Sequence, residues 1–396
     1  MDRAVKVAQR AFVLRSRSAA STMQPLNDGL RKVSACANNA EILRVSVVPP
    51  ISQGFENDAL FQSRRLDQSS HSPNVHWLDC FAEVYKRGYE SNMVFGTADV
   101  IPKENADIVL YMNQVDPKDV VAQKLKCPGQ RAILMMLETA LGARYTLNPK
   151  NHVAYDAVFT YVLPLVDGMR YFFLPPRAFY RHRINTGVPF EQRRIGCLVG
   201  TNRRFRYRSG VFTMRKGWKF SLRDWIDYVF CPGELISLRA ELGKACATYP
   251  SGSFDLFGEG WDLLPETRNV CLGIPRESTL TYIGRYRYYF AFENNTGDYG
   301  LISERIWDAL WGDTVPVYLG HAGIDQFIPR ECYIDARQFK KPREMLDWLY
   351  RAPESTWEKY HTAGREFIRS SAVEKFLPEA FAECFVRQIA AIAGRG

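Results

Sequence analysis

The chain has 396 residues, 46% of them hydrophobic and 13% aromatic, and a net charge of +9. That composition excludes a disordered chain, and the length fits two domains of ordinary size with a cleft between them. The charge suits nucleic acid, an anionic membrane surface or a phosphate-bearing substrate, and does not choose among them.

Residues 1–44 are rich in Ala, Ser, Asn and Arg without periodicity and are expected to be a basic, poorly ordered leader. Arg and Lys interrupt the first residues too often for a signal peptide, and no membrane span is expected anywhere. ILRVSVVPP (42–50), ADIVLYMNQ (106–114) and QRAILMMLE (130–138) are short apolar runs of the kind that form buried parallel strands. WLDCFAEVYKRGYE (77–90) has helical spacing, so strand and helix alternate as in a doubly wound α/β domain. After the turn-rich RINTGVPFEQR a second series begins. RIGCLVGTN (194–202), SFDLFGEGW, RYRYYFAFEN and TVPVYLG are expected strands, with LISLRAELGKACATY and SERIWDALWG as helices between them. The stretches REMLDWLYRA, STWEKYHTAGREFI and PEAFAECFVRQIAAIA predict amphipathic helices packed on the outside.

Nine scattered cysteines without a CxxC pair fit a reduced, cytoplasmic compartment better than a disulfide framework or a zinc site. The six histidines show no ligand spacing; His321 stands out because it follows the TVPVYLG strand. Arg203, Arg204, Arg206 and Arg208 alternate with Phe205 and Tyr207. The basic stretch 203–219 reads as a solvated strand or as peripheral contact with an anionic inner-membrane surface, and nucleic acid is not expected as a partner.

Residues 286–329 carry the chemistry: a strand, a polar Gly-containing loop, a helix opening at Ser303 and Glu304, and a second strand. Ligands of open α/β sheets bind where strand ends meet helix N-termini, and a helix start offers N–H groups and a positive dipole end to a diphosphate. Arg305 would add a forked cation suited to phosphate, and Glu304 with Asn294 or Asn295 could hold sugar hydroxyls or a base edge. The plain alternative is a strand, a helix N-capped by Ser303 with Arg305 solvated, and a strand.

Phe292-Glu293-Asn294, then Tyr299-Gly300, Ser303-Glu304-Arg305 and Val315-Pro316-Val317 with Gly320 resemble, in order and spacing, the donor-binding motif of glycosyltransferase family ten, the α1,3/α1,4-fucosyltransferases. The resemblance continues upstream through MMLETA (135–140), YDAVFTY, MRYFFLPP and Arg239, covering 131–345. It implies a GT-B fold, two Rossmann-like domains facing across a cleft: acceptor-binding over 45–190, donor-binding over 191–345, with the helices of 346–396 packed on both. It implies inverting transfer, most naturally of fucose from GDP-fucose onto a glycan hydroxyl, with protein-linked, lipid-linked and lipopolysaccharide glycans all within the acceptor class. Glu138 is the implied base. Arg239 and Arg305 would neutralise the leaving diphosphate, aided by Ser303, and Asn294, Asn295, Tyr299 and Glu304 complete the donor set. No Asp-X-Asp pair follows a strand, so no metal or other cofactor is expected. Two features depart from the family. Arg305 stands where the family has Lys, and 203–234 has no family counterpart.

Overall fold

The computed structural model describes residues 42–49, 57–61, 75–113, 116–137, 149–178, 185–202, 233–274, 277–296 and 300–395. Glu138, Tyr299, the basic stretch 203–219 and nearly all of the leader lie outside the described residues. The described residues from 44 onward form one compact unit.

Two six-stranded sheets make up its framework. The first contains β1 (Leu43–Val48), β2 (Met93–Thr97), β3 (Ile108–Met112), β4 (Arg131–Met135), β5 (Ala157–Thr160) and β6 (Tyr171–Phe173), in the order β2-β1-β3-β4-β5-β6. The second contains β7 (Arg194–Val199), β8 (Phe254–Phe257), β9 (Cys271–Gly273), β10 (Tyr286–Phe292), β11 (Val315–Leu319) and β12 (Ile334–Asp335), in the order β12-β11-β10-β7-β8-β9. Every strand pairing with a defined register is parallel. Parallel sheets bury both faces, which is why β3, β5, β8 and β11 are wholly buried along their length.

Strand order decides where a ligand can sit. In the second sheet the chain winds outward from β7 through β8 to β9, then returns to the other side of β7 with β10. The exit of β7 beside β10 is therefore the switch point at which open sheets leave a crevice. The apolar runs announced most of these strands. MVFGT, however, is too short and too Gly-containing to stand out, and β2 emerges only as the edge strand beside β1.

The helices are α1 (Val75–Glu90), α2 (Pro117–Lys126), α3 (Ile236–Cys246), α4 (Thr279–Ile283), α5 (Glu304–Trp311), α6 (Pro342–Arg351), α7 (Glu354–Phe367) and α8 (Pro378–Ile392). Helix α2 starts at Asp116, whose carboxylate accepts from Lys118 N, with Pro117 at the first helical position. The C-terminal helices part company. Helix α6 lends Met345, Leu346 and Leu349 to the core of the second sheet, and α7 adds Trp357. Helix α8 instead returns to the first half and packs on α1. Phe385 lies 4.8 Å from Phe159 of β5 and 6.0 Å from Phe81 of α1, and Phe381 lies 6.2 Å from Trp77, ring centre to ring centre. Arg177 stacks on the other partner of that pair, its guanidinium 3.2 Å from the Trp77 ring centre. Aromatic pairs of this geometry contribute about 0.5–1.5 kcal/mol each beyond the area they bury. They tie the end of the chain to its first domain.

A buried ionic cluster secures the segment that leads into β7. Arg193 donates to Asp313 Oδ2 at 2.8 Å, both side chains 2% exposed, and also to the carbonyls of Val188 and Gly284. Asp313 Oδ1 lies 3.0 Å from His361 Nε2, and His361 stacks on Trp357 at 4.1 Å. Linker, α5–β11 turn and α7 are thus pinned at one point. Removing one partner of a buried pair strands the other charge, at a cost of about 3–5 kcal/mol. Asp313→Asn is expected to lower unfolding stability by about that amount, read from the urea midpoint. A loss below about 1 kcal/mol would show that Arg193 finds other compensation.

Candidate functional site

The exits of β7 and β10 are where the predicted residues gather. Phe292 ends β10, and the next residues pair with the start of α3: Asn295 bridges Glu234 in antiparallel fashion, Leu235 N donates to Asn294 O at 2.9 Å, and Thr296 N to Gly233 O at 2.8 Å. Glu234 Oε2 accepts from Ser237 N at 3.0 Å and so closes the first turn of α3. Arg239 comes one turn later, its N–H bonded to Leu235 O, and is 5% exposed. Its Nη2 donates to Asn294 Oδ1 at 2.6 Å. On the β7 side it meets Gly200: a Cβ there would lie 3.5 Å from Arg239 Nη1. The guanidinium is therefore held across the switch point, between the ends of two adjacent strands.

Arg305 approaches the exit of β10 from α5, on the side of β11. Ser303 is the N-cap, accepting from Arg305 N at 3.4 Å, and its own N–H donates to Glu293 Oε1 at 2.8 Å. Arg305 Nη1 lies 3.1 Å from Ser303 Oγ, 3.7 Å from Glu293 Oε2 and 3.6 Å from Glu304 Oε1. Glu293 is 1% exposed. Burial raises its carboxyl above the usual range, although the Arg305 charge and the Ser303 bonds pull the other way. For Arg305 burial opposes the charge, but Glu304 and Glu293 together outweigh it and hold the guanidinium ionised. Arg305 is thus no solvated cation. It is folded back on its own helix start, and the N–H groups of Ser303 and Arg305 are already engaged within the protein.

Glu293 is the organising group, quoted within the sequence motif but given no role there. Its N–H bonds Leu319 O at 2.8 Å, its carboxylate holds Ser303 and Arg305, and the next residue holds Arg239. The signal was available: a lone carboxylate follows the apolar run YYFAF, and a buried charge without a partner is rare.

The loop between β10 and α5 also reaches the first sheet. Gly300 has φ +109°, and a Cβ there would collide with Tyr161 O, just beyond β5, and lie 3.1 Å from Leu163 Cγ. Its N–H donates to His321 Nδ1 at 3.2 Å, which requires the neutral ring. Burial and the nearby Arg337 charge lower the His321 pKa, with Asp325 opposing. Strand β5 neighbours β4, and the chain leaving β4 leads to Glu138. Its last described residues are anchored: Met136 N donates to Phe159 O at 2.9 Å and Leu137 N to Asn113 Oδ1 at 2.7 Å. Arg239, Asn294, Asn295, Ser303, Glu304 and Arg305 therefore lie around the exit of β10, and Gly300, in the loop between β10 and α5, abuts Tyr161, just beyond the strand next to the one leading to Glu138.

Glycines on the other flank let backbones approach closely. Gly258, at φ +117°, would place a Cβ 2.6 Å from Gly200 O, and that same carbonyl accepts from Trp261 Nε1 at 2.7 Å. Among the described residues no group of three or more His, Cys, Asp or Glu could hold a metal ion. A depression of about 630 Å³ between α6 and α7, lined by residues such as Arg343, Trp348 and Arg351, shares no residue with this cluster.

Comparison with known proteins places this geometry. Residues 254–381 match the family model of the glycosyltransferase family 10 (fucosyltransferase) C-terminus, which bears out the resemblance read from 286–329. Human alpha-(1,3)-fucosyltransferase 7 is 34% identical over 136 residues, 33% of this chain and 36% of the relative. Human alpha-(1,3)-fucosyltransferase 4 is 33% identical over 99 residues, 24% of this chain and 17% of the relative. The orangutan (Pongo pygmaeus) 3-alpha-L-fucosyltransferase FUT6 is 32% identical over 80 residues, so the chain matches 22% of that relative's length. A crystal structure of an alpha1,3-fucosyltransferase with GDP-fucose superposes with a TM-score of 0.51 at 12% identity, covering 91% of this chain and 95% of that one. The fold is thus the expected GT-B arrangement of two parallel-sheet halves.

Gly258→Ala forces a side chain onto a backbone carbonyl at a left-handed position. It is expected to cost about 2 kcal/mol or more, measured by urea unfolding. Gly273→Ala, also at positive φ but with nothing within 4 Å of its Cβ, is the control and should cost less. Equal losses would show that the close approach of Gly258 to Gly200 is not what makes glycine necessary.

Proposed function

We propose that this protein, whose residues 254–381 match the family 10 fucosyltransferase C-terminal model, is an inverting glycosyltransferase that moves fucose from GDP-fucose to a glycan hydroxyl. One observation carries the reading. Arg239 and Arg305, from two different helices, bind the adjacent residues Asn294 and Glu293 at the exit of β10, Arg239 on the β7 side and Arg305 on the β11 side. Two guanidinium groups at such a crevice suit a diphosphate.

In the proposed reaction the acceptor oxygen attacks the anomeric carbon of the sugar from the face opposite the diphosphate. The bond between that carbon and the β-phosphate oxygen breaks, and GDP departs with the electron pair. The hydroxyl proton passes to Glu138, the candidate base on the chain leaving β4. Arg239 sits where charge grows on the leaving group, and its bond to Asn294 fixes it beforehand, so no reorganisation is needed as the bond breaks. Arg305, compensated by Glu293 and Glu304, serves as a rigid dipolar contact more than as a free charge. No metal enters the scheme. An anionic membrane surface and a cytoplasmic location belong to the same proposal, on the strength of the basic stretch 203–219 and the unpaired cysteine pattern.

Arg305 in the place of the family's lysine favours one alternative, a relative of the same mechanism that uses another GDP-linked sugar. A thermal-shift panel of GDP, UDP, CMP and their sugars separates the readings, since a ligand at 100 times its Kd stabilises by about 2.7 kcal/mol. GDP and GDP-fucose should raise the midpoint; a shift with UDP alone would discard the donor class. Glu138→Gln should then lower turnover by about 10²–10⁴-fold with GDP binding intact. Unchanged transfer by that variant would remove Glu138 as the base.

A further inference from the structure

We infer that Asn202, two residues beyond the Arg239-facing Gly200, is a specificity-determining residue whose side-chain oxygen accepts a hydrogen bond from the nucleoside of the donor. The inference rests on the nucleotide-sugar reading above and adds the direction in which the nucleoside lies. Asn202 is 2% exposed. Its N–H donates to Glu259 O at 2.9 Å and its Nδ2 to Gly260 O at 3.3 Å, so the amide orientation is fixed; reversing it would set two oxygens against each other. Oδ1 is then left buried with no donor from the protein. An acceptor in that state costs about 1–3 kcal/mol, and a native fold that keeps one usually gives it a task.

The two flanks of the switch point differ in a way that makes Asn202 the recipient. On the β10–β11 side the strand exits are filled by Glu293, Arg305, His321 and the Tyr318 hydroxyl, which accepts from His321 N. On the β7–β8–β9 side the described strand exits are glycines. Val199, Phe257 and Cys271-Leu272 are each followed by a glycine at positive φ, namely Gly200, Gly258 and Gly273. Gly258 N donates to Gly273 O at 2.8 Å, which joins the last two into one floor. Leu272 and Ile274, 50% and 56% exposed, border it with apolar surface. With a diphosphate at Arg239, a flat nucleoside would lie toward this floor, and Asn202, two residues beyond Gly200, carries an unused acceptor on that flank. Groups able to donate to it are the base N–H edge and a ribose hydroxyl.

Isothermal titration of the full-length protein with GDP and with inorganic pyrophosphate tests the assignment. Asn202→Ala and Asn202→Ser should each weaken GDP about tenfold and leave pyrophosphate unchanged, whereas Arg239→Ala should weaken both. Unfolding midpoints close to that of the parent establish that folded protein is being titrated. Repeating the Asn202→Ala comparison with 2′-deoxy-GDP and with IDP assigns the bond. An analogue against which the substitution costs nothing lacks the donating group, and equal losses against both point to a donor that all three share, such as N1–H. GDP affinity within about twofold in both variants, or equal loss of GDP and pyrophosphate, would overturn the inference while the proposed function stood. Failure of the parent protein to bind GDP at all would remove both.

Discussion

A carboxylate taken almost completely out of water is the constraint around which this molecule is arranged. Glu293 follows the apolar end of β10, and an isolated ionised carboxylate in such a place would be expelled or protonated. It is retained because Ser303 N–H and the Arg305 guanidinium meet it, and their positions in turn fix where α5 begins. The adjacent Asn294 passes the constraint on to Arg239, and so to α3 and the exit of β7. Two helices from different parts of the chain are thereby referenced to one dipeptide. The two guanidinium groups are thus located by a single rigid point.

The two halves of the molecule are coupled by small contacts and one large one. Gly300 allows the β10–α5 loop to reach Tyr161 O, and His321 holds that loop through its N–H. Helix α8 supplies the larger contact, an aromatic layer that returns the chain's end to the first sheet. Loop and helix act at different scales: the loop sets local register beside the strand leading to Glu138, and the helix resists separation of the halves.

Much of this was readable in advance where burial acts along the chain. Fully buried parallel strands must be apolar throughout, so ADIVLYMNQ, QRAILMMLE, RYRYYFAFEN and TVPVYLG declared themselves, and the spacing of WLDCFAEVYKRGYE declared its helix. Ser303 as N-cap followed from local chemistry alone, and the cap is found. Strand β2 and helix α2 were not foreseen, because one is short and lies at an edge and the other has too few apolar positions to show a period. The role of Glu293 was missed for a different reason: a charge in a strand says nothing about its partner until the partner, ten and twelve residues on, is folded against it.

The sequence by itself determined the local conformations, the alternation of strand and helix, and the order of residues along the donor segment, since each depends on neighbours within a few positions. Only the tertiary structure decided that Arg239 crosses from β7 to β10, that Arg305 is compensated instead of solvated, that Asn202 keeps an acceptor without a protein donor, and that α8 crosses back to the first half. Those outcomes depend on pairings between residues from about a dozen to hundreds of positions apart. Long-range pairing is set by strand order and by which charges can be buried together, and neither is written in any local window of the chain.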